Sequence, residues 1–149
     1  MVASKVPKDA KVSELYAGIG TIGLNVASIS SEVLCSDSNE YVDEVFDACA
    51  DSLPEVIWRS TYFFVLPCFE LYTAYYQGPR DRVFYENLPA EDAVIQGQCD
   101  EAEVVIVDPP RRGLDEGVLD LFTGRHPAAK AEGKYFIDLQ NLLKYWLLI

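Results

Sequence analysis

Histidine and closely spaced cysteine are what this 149-residue sequence has least of. There is a single histidine, His126, and the four cysteines, Cys35, Cys49, Cys68 and Cys99, form no C-x-x-C pair and lie far from it along the chain. That spacing argues against a zinc site or any other metal centre. Positive charge is also scarce: 12 Lys plus Arg face 24 Asp plus Glu, a formal charge of −12. This is the wrong sign for free electrostatic capture of a nucleic-acid backbone, so RNA binding would be weak without an additional RNA-binding module. No long apolar run exists either. The most apolar region, residues 57–77, is interrupted by Arg59, Pro67 and Glu70, which excludes a bilayer span. Residues 1–8 (MVASKVPK) lack the apolar core of a secretory signal. The expected location is intracellular, in the cytoplasm or an organellar stroma, without membrane contact. No repeat recurs at solenoid spacing.

What remains is ordinary globular composition, 50% hydrophobic and 24% charged, in a length suited to one domain. Residues 11–16 (KVSELY) read as a strand running into a glycine-rich turn, Gly18-x-Gly20-x-x-Gly23. From Thr21 the apolar positions Ile22, Leu24, Val26, Ala27 and Ile29 fit a helix packed on a sheet. Residues 32–37 (EVLCSD) form a second strand candidate ending in an acid, after which Ser38 or Asn39 can cap a helix. In that helix Tyr41, Val45, Cys49 and Leu53 recur at i, i+4, flanked by Val42 and Phe46, with Asp43, Glu44, Asp47 and Asp51 on the outer face. Residues 82–86 (RVFYE) and 104–107 (VVIV) predict two more strands, the last buried on both faces. Strands alternating with helices imply an α/β fold with a parallel sheet.

Two stretches break this rhythm. Residues 57–80 hold eight of the chain's 18 aromatic residues and stand where a short connection belongs, so they read as an insertion. Residues 134–149 form a divergent tail in which Leu139, Leu142, Leu143 and Trp146 have helical spacing. A terminal helix burying that stripe is favoured over a partner-binding one.

The glycine motif has the mechanics of a nucleotide-cofactor loop: small residues let the backbone approach a ligand, and the helix that follows offers unpaired N–H groups. Taken alone, it could equally be a tight strand-to-helix turn. Its context adds Asp37 at the end of the next strand, where a carboxylate can accept hydrogen bonds from both ribose hydroxyls. In a parallel sheet the glycine loop, Asp37, Asn87 and Asp108 converge on one edge. Glu14, four residues before Gly18, favours S-adenosylmethionine over a dinucleotide, because a methionine ammonium accepts a nearby carboxylate and a pyrophosphate does not. Gly18, Gly20, Gly23 and Asp37 nevertheless satisfy a loose dinucleotide fingerprint, which leaves an NAD(P)-dependent oxidoreductase as the alternative. After the fourth strand, residues 108–113 (DPPRRG) place two prolines in series, a stiff lip beside the cofactor.

Residues 14–24 (ELYAGIGTIGL) and 108–115 (DPPRRGLD) resemble the RNA uracil-C5 methyltransferases, most of all their plant and algal relatives. The resemblance runs over about residues 5–55 and 81–133. It implies a Rossmann-like, S-adenosylmethionine-dependent domain acting on tRNA or rRNA, with the sheet incomplete on its C-terminal side. By the same resemblance Tyr16 and Thr21 line the cofactor site, Asp37 holds the ribose, Asn87 lies near adenine, Asp108 sits beside both the methyl donor and the target base, and Arg111 lies near that base. Arg111, Arg112 and Arg125 are the plausible RNA contacts. The family's nucleophilic cysteine stands on the strand after the DPPR helix, where this chain reads KYFIDL over residues 134–139. None of the four cysteines replaces it, so the chain reads as a piece of a catalytic domain lacking its nucleophile, or as a non-catalytic cofactor-binding fragment.

Overall fold

The computed structural model describes residues 2–52, 80–130 and 134–138. Five strands form one sheet: β1 (Lys11–Leu15), β2 (Glu32–Ser36), β3 (Val83–Glu86), β4 (Val104–Val107) and β5 (Tyr135–Asp138). Their order is β3-β2-β1-β4-β5 and every pairing is parallel. Four α-helices lie between them among the described residues: α1 (Thr21–Val26), α2 (Asp43–Asp51), α3 (Ala90–Ile95) and α4 (Glu116–Phe122). This is a Rossmann-like α/β architecture. No described helix is long and apolar enough to cross a membrane.

The core divides across the sheet. On one face Val12, Val33, Cys35 and Val83 pack against Leu24 and Val26 of α1 and Phe46 and Ala50 of α2. On the other, Leu15, Val105 and Val107 meet Ala93 and Val94 of α3 and Val118 and Leu121 of α4. β4 serves both layers, since Val104 and Ile106 belong to the first and Val105 and Val107 to the second, all fully buried. Burying such side chains contributes about 1.5–3 kcal/mol each, which is why an unbroken β-branched run sits near the middle of the sheet.

Two local expectations, both on α2, need correction. The buried face of α2 is set by Phe46 and Ala50, with Val42 just before the helix, whereas Tyr41 and Val45 are 79% and 45% exposed. The two apolar stripes differ by one residue, and packing against the glycine loop selects the one carrying Phe46. Neither Ser38 nor Asn39 caps α2; Asn39 instead closes a turn before it, its side-chain oxygen accepting the Tyr41 N–H at 3.1 Å. Residues 135–138, at the head of the divergent tail, form a strand, in the place where the resemblance puts the strand after the DPPR helix. β4 has backbone groups to satisfy on both sides, and β5 fills the second side with Val104↔Tyr135 through Val107↔Asp138 in register. The tail stripe from Leu139 onward and residues 57–79 of the expected insertion lie outside the described residues. Arg80, which ends that stretch, pairs with Asp47 and Asp51 on α2 at 2.6 and 3.0 Å.

Candidate functional site

Because the strands are parallel and in register, Leu15, Ser36, Glu86, Val107 and Asp138 end side by side along one edge. The chain leaves β1 toward α1 and β2 on one side, and β4 lies on the other. Such a reversal of strand order opens a crevice between the two connections, here the glycine loop after β1 and the DPPRRG loop after β4.

The glycine loop is built from left-handed backbone. Tyr16, Gly18 and Gly20 have φ of 58°, 53° and 73°, a region comfortable for glycine and costly for tyrosine. Gly20 is buried, and a Cβ there would come within 2.3 Å of the Phe46 ring. That ring in turn stacks on Tyr85 with centroids 4.7 Å apart. Gly23 lets α1 lie directly on the sheet, since a Cβ would come within 2.5 Å of the Cys35 sulfur and 2.6 Å of Glu14 Oε2. Gly18 differs: a Cβ there would meet nothing within 4 Å, so open space adjoins the loop. Thr21 is the first residue of α1 and half-buried, its carbonyl accepting from the Asn25 side chain at 2.6 Å.

Asp37 joins the loop to β2. Its Oδ2 accepts the Gly18 N–H at 2.8 Å and its Oδ1 the Asn39 N–H at 3.0 Å, leaving lone pairs on a half-buried carboxylate. Asn87 follows β3 and is exposed at the same edge. Asp108 is exposed immediately after β4, followed by buried Pro109, and the lip turns between Pro110 and Gly113, whose N–H reaches the Pro110 carbonyl at 2.9 Å. Arg111 is exposed on that turn, while Arg112 pairs with Asp115 at 3.3 Å. Arg125 pairs with Asp120 at 2.7 Å.

Glu14 does not stand open in the crevice. It is fully buried under α1, where Oε2 accepts the Gly23 N–H at 2.7 Å and the Cys35 thiol at 3.4 Å, and Oε1 has no partner among the described residues. Burial pushes its carboxyl up to about 7 against the pull of those hydrogen bonds, and the nearby Asp108 charge pushes the same way.

Two residues at this edge escaped the sequence reading. Asp115 forms a reciprocal pair with Tyr16: the phenol donates to its Oδ2 at 3.0 Å and accepts its N–H at 3.1 Å. The glycine loop and the DPPRRG loop are thereby latched together, and burial pushes the Tyr16 phenol up to about 12. Tyr85 is the second; its hydroxyl is buried with no partner among the described residues, and burial followed by the charges of Asp37 and Asp43 holds it protonated to about 12. Asp115 closes the DPPRRGLD string, but nothing in that string points to Tyr16 as its partner, and no sequence pattern marks Tyr85. Replacing Tyr16 with Phe strips the Asp115 N–H of its acceptor, and the expected loss is about 1–3 kcal/mol in urea unfolding, with faster exchange at the Asp115 amide.

The described cysteines lie off this edge. Cys35 is buried in β2 beneath Gly23, and burial together with Glu14 raises its thiol well above the ordinary value. Cys99 is buried before β4, near the opposite edge, its thiol 3.4 Å from Ser13 Oγ and also raised by burial. Cys49 sits half-buried on α2. Cys68 lies outside the described residues. Among the described residues no group of three or more His, Cys, Asp or Glu side chains is placed to hold a metal ion, and His126 Nδ1 accepts the Ala128 N–H at 3.2 Å within a local turn.

No protein-family model matches the chain. Among solved structures, a "predicted O-methyltransferase" from Agrobacterium tumefaciens aligns over 87% of this chain and 53% of its own, with a TM-score of 0.46 and 20% identity. Over 122 residues, 82% of its length, the chain is 35% identical to an uncharacterized RNA methyltransferase of Protochlamydia amoebophila, of which it spans 26%.

Proposed function

We propose that this chain is the cofactor-binding portion of an S-adenosylmethionine-dependent RNA methyltransferase of the uracil-C5 lineage. The observation that carries the reading is the crevice between β1 and β4, bordered by the glycine loop, Asp37 and Asp108. The likeness to a protein named as an RNA methyltransferase supports the choice of RNA as substrate. The residues present fit the cofactor. Open space adjoins Gly18, Asp37 keeps acceptor capacity for ribose hydroxyls, and exposed Asn87 and Asp108 offer polar groups for adenine and the methionine end. When bound, S-adenosylmethionine supplies an electrophilic methyl group. Arg111, exposed on the proline turn, is assigned to the target base or its phosphate.

For the chain by itself, cofactor binding without turnover is a second reading, favoured by the burial of Cys35 and Cys99 away from the crevice.

Calorimetric titration tests the cofactor. Heat with S-adenosylhomocysteine and none with NAD or NADP is expected, and the reverse pattern removes the proposal in favour of an oxidoreductase. Asp37→Ala should weaken binding by roughly a hundredfold or more, because two ribose hydrogen bonds to a charged acceptor contribute about 1.5–3 kcal/mol each.

A further inference from the structure

Among the described residues no cation faces the Glu14 carboxyl. The groups around it are the backbone N–H groups of Gly23 and Ile22 on α1, the Cys35 thiol on β2, and the Asp108 carboxylate following β4. Oε2 receives two hydrogen bonds, whereas Oε1 is buried without a partner among the described residues. An ionised carboxylate in that position would bury a charge with one oxygen unpartnered among the described residues, so the neutral acid persists in the free protein up to about pH 7. Asp108 is close enough for its negative charge to disfavour ionisation of Glu14. By the same Coulombic reach, a positive charge held at Asp108 favours it.

We infer that Glu14 is a buried neutral acid that gives up its proton to solvent when a cationic ligand occupies the crevice beside Asp108, so that cofactor binding is coupled to release of one proton. This deepens the cofactor reading above and rests on it. Glu14 acts as a positioning and specificity residue through its charge; it does not touch the ligand through Oε2, which the glycine loop already occupies. S-adenosylmethionine, cationic at its sulfonium and ammonium, draws the proton off. A dinucleotide, with its pyrophosphate anion, would drive proton uptake instead.

The sign of the pH dependence follows. Below about pH 7 the acid must lose its proton for the cation to gain its partner, so affinity falls with falling pH; above it no proton is lost. From pH 8 to pH 6 the Glu14 contribution amounts to about a tenfold weakening.

The test is calorimetry of the whole chain with S-adenosylmethionine at pH 6 and pH 8, in buffers of different ionisation enthalpy, on the wild type and Glu14→Gln. The expected result is close to one more proton released by the wild type than by E14Q at pH 6, and a small difference at pH 8. The comparison with E14Q subtracts the ligand's own amine. Equal proton counts in both proteins, with binding intact, overturn the inference and leave the cofactor reading standing. Absence of S-adenosylmethionine binding, or NAD binding with proton uptake, overturns both. If E14Q does not fold, the carboxyl carbon resonance of Glu14 in the ligand-free wild type decides the matter. A midpoint near pH 7 that drops when S-adenosylmethionine is added supports the inference, and an ordinary carboxylate midpoint in the free protein overturns it.

Discussion

Incubated with S-adenosylmethionine and RNA carrying 5-tritiated uridine, the 149-residue chain is expected to release no tritium above background. Carbon 5 of uracil is a weak nucleophile. A thiolate must add at carbon 6 before the methyl group can transfer, and a base must then take the C5 proton. The described cysteines cannot supply that thiolate at the crevice: Cys35 lies beneath Gly23 with its thiol held protonated by burial and by Glu14, and Cys99 precedes β4 at the far edge. Losing a covalent nucleophile commonly lowers the rate by roughly 10⁴-fold or more. Tritium release is the right readout because the C5 hydrogen leaves only if addition, methyl transfer and elimination all occur. Turnover abolished by changing Cys35, Cys49, Cys68 or Cys99 to Ala would show a cysteine reaching the base. Turnover surviving all four changes would move the methyl acceptor away from uracil C5.

Gly20→Ala should have the largest effect on stability of any single change in the glycine loop, about 2–5 kcal/mol by urea unfolding. Two costs combine. The left-handed backbone at φ 73° strains any residue with a Cβ by about 1–2 kcal/mol, and the added carbon would stand 2.3 Å from the Phe46 ring, an overpacking cost of about 1–3 kcal/mol. Gly18→Ala provides the internal control, because it shares the positive φ but meets no atom within 4 Å, so it should lose only the backbone part. Phe46→Leu, made alone and with Gly20→Ala, isolates the ring. The double variant should be more stable than the sum of the singles predicts by about 0.5–3 kcal/mol. Strict additivity would mean the ring yields freely and φ alone explains the glycine.

How much of this was legible without coordinates varies with the range of the interaction responsible. Four strands are readable because each is a short β-rich run bounded by polar or glycine residues, and the unbroken Val104–Val107 stretch announces burial on both faces. The parallel sheet follows from the alternation of elements, and with it the gathering of Gly18, Asp37, Asn87 and Asp108 at one edge. β5 is not readable in the same way: its four residues give no periodicity, and what makes them a strand is the unfilled side of β4. In α2 the competing apolar stripes are equally good on a helical wheel, and only contact with Gly20 selects Phe46. The Tyr16 to Asp115 latch joins positions 99 residues apart. Nothing local could reveal it. Glu14 was recognisable as belonging to the loop motif, yet its burial depends on Gly23 of α1 and Cys35 of the neighbouring strand, both of which hydrogen-bond to it.

The strand order also governs when the fold can come into being. β1 is the earliest of the five described strands and lies in the centre of the sheet, hydrogen-bonded on one side to β4, whose Val104 registers with Val12 across some ninety intervening residues. Until β4 has joined, β1, β2 and α1 form an open half-sheet whose inner edge is unpaired, and the layer carried by Val105 and Val107 has not yet formed. Closing so long a loop costs chain entropy before any contact repays it. Docking of β4 on β1 is therefore expected to come late in folding, and until it does the free edge of β1 is open to pairing with another chain.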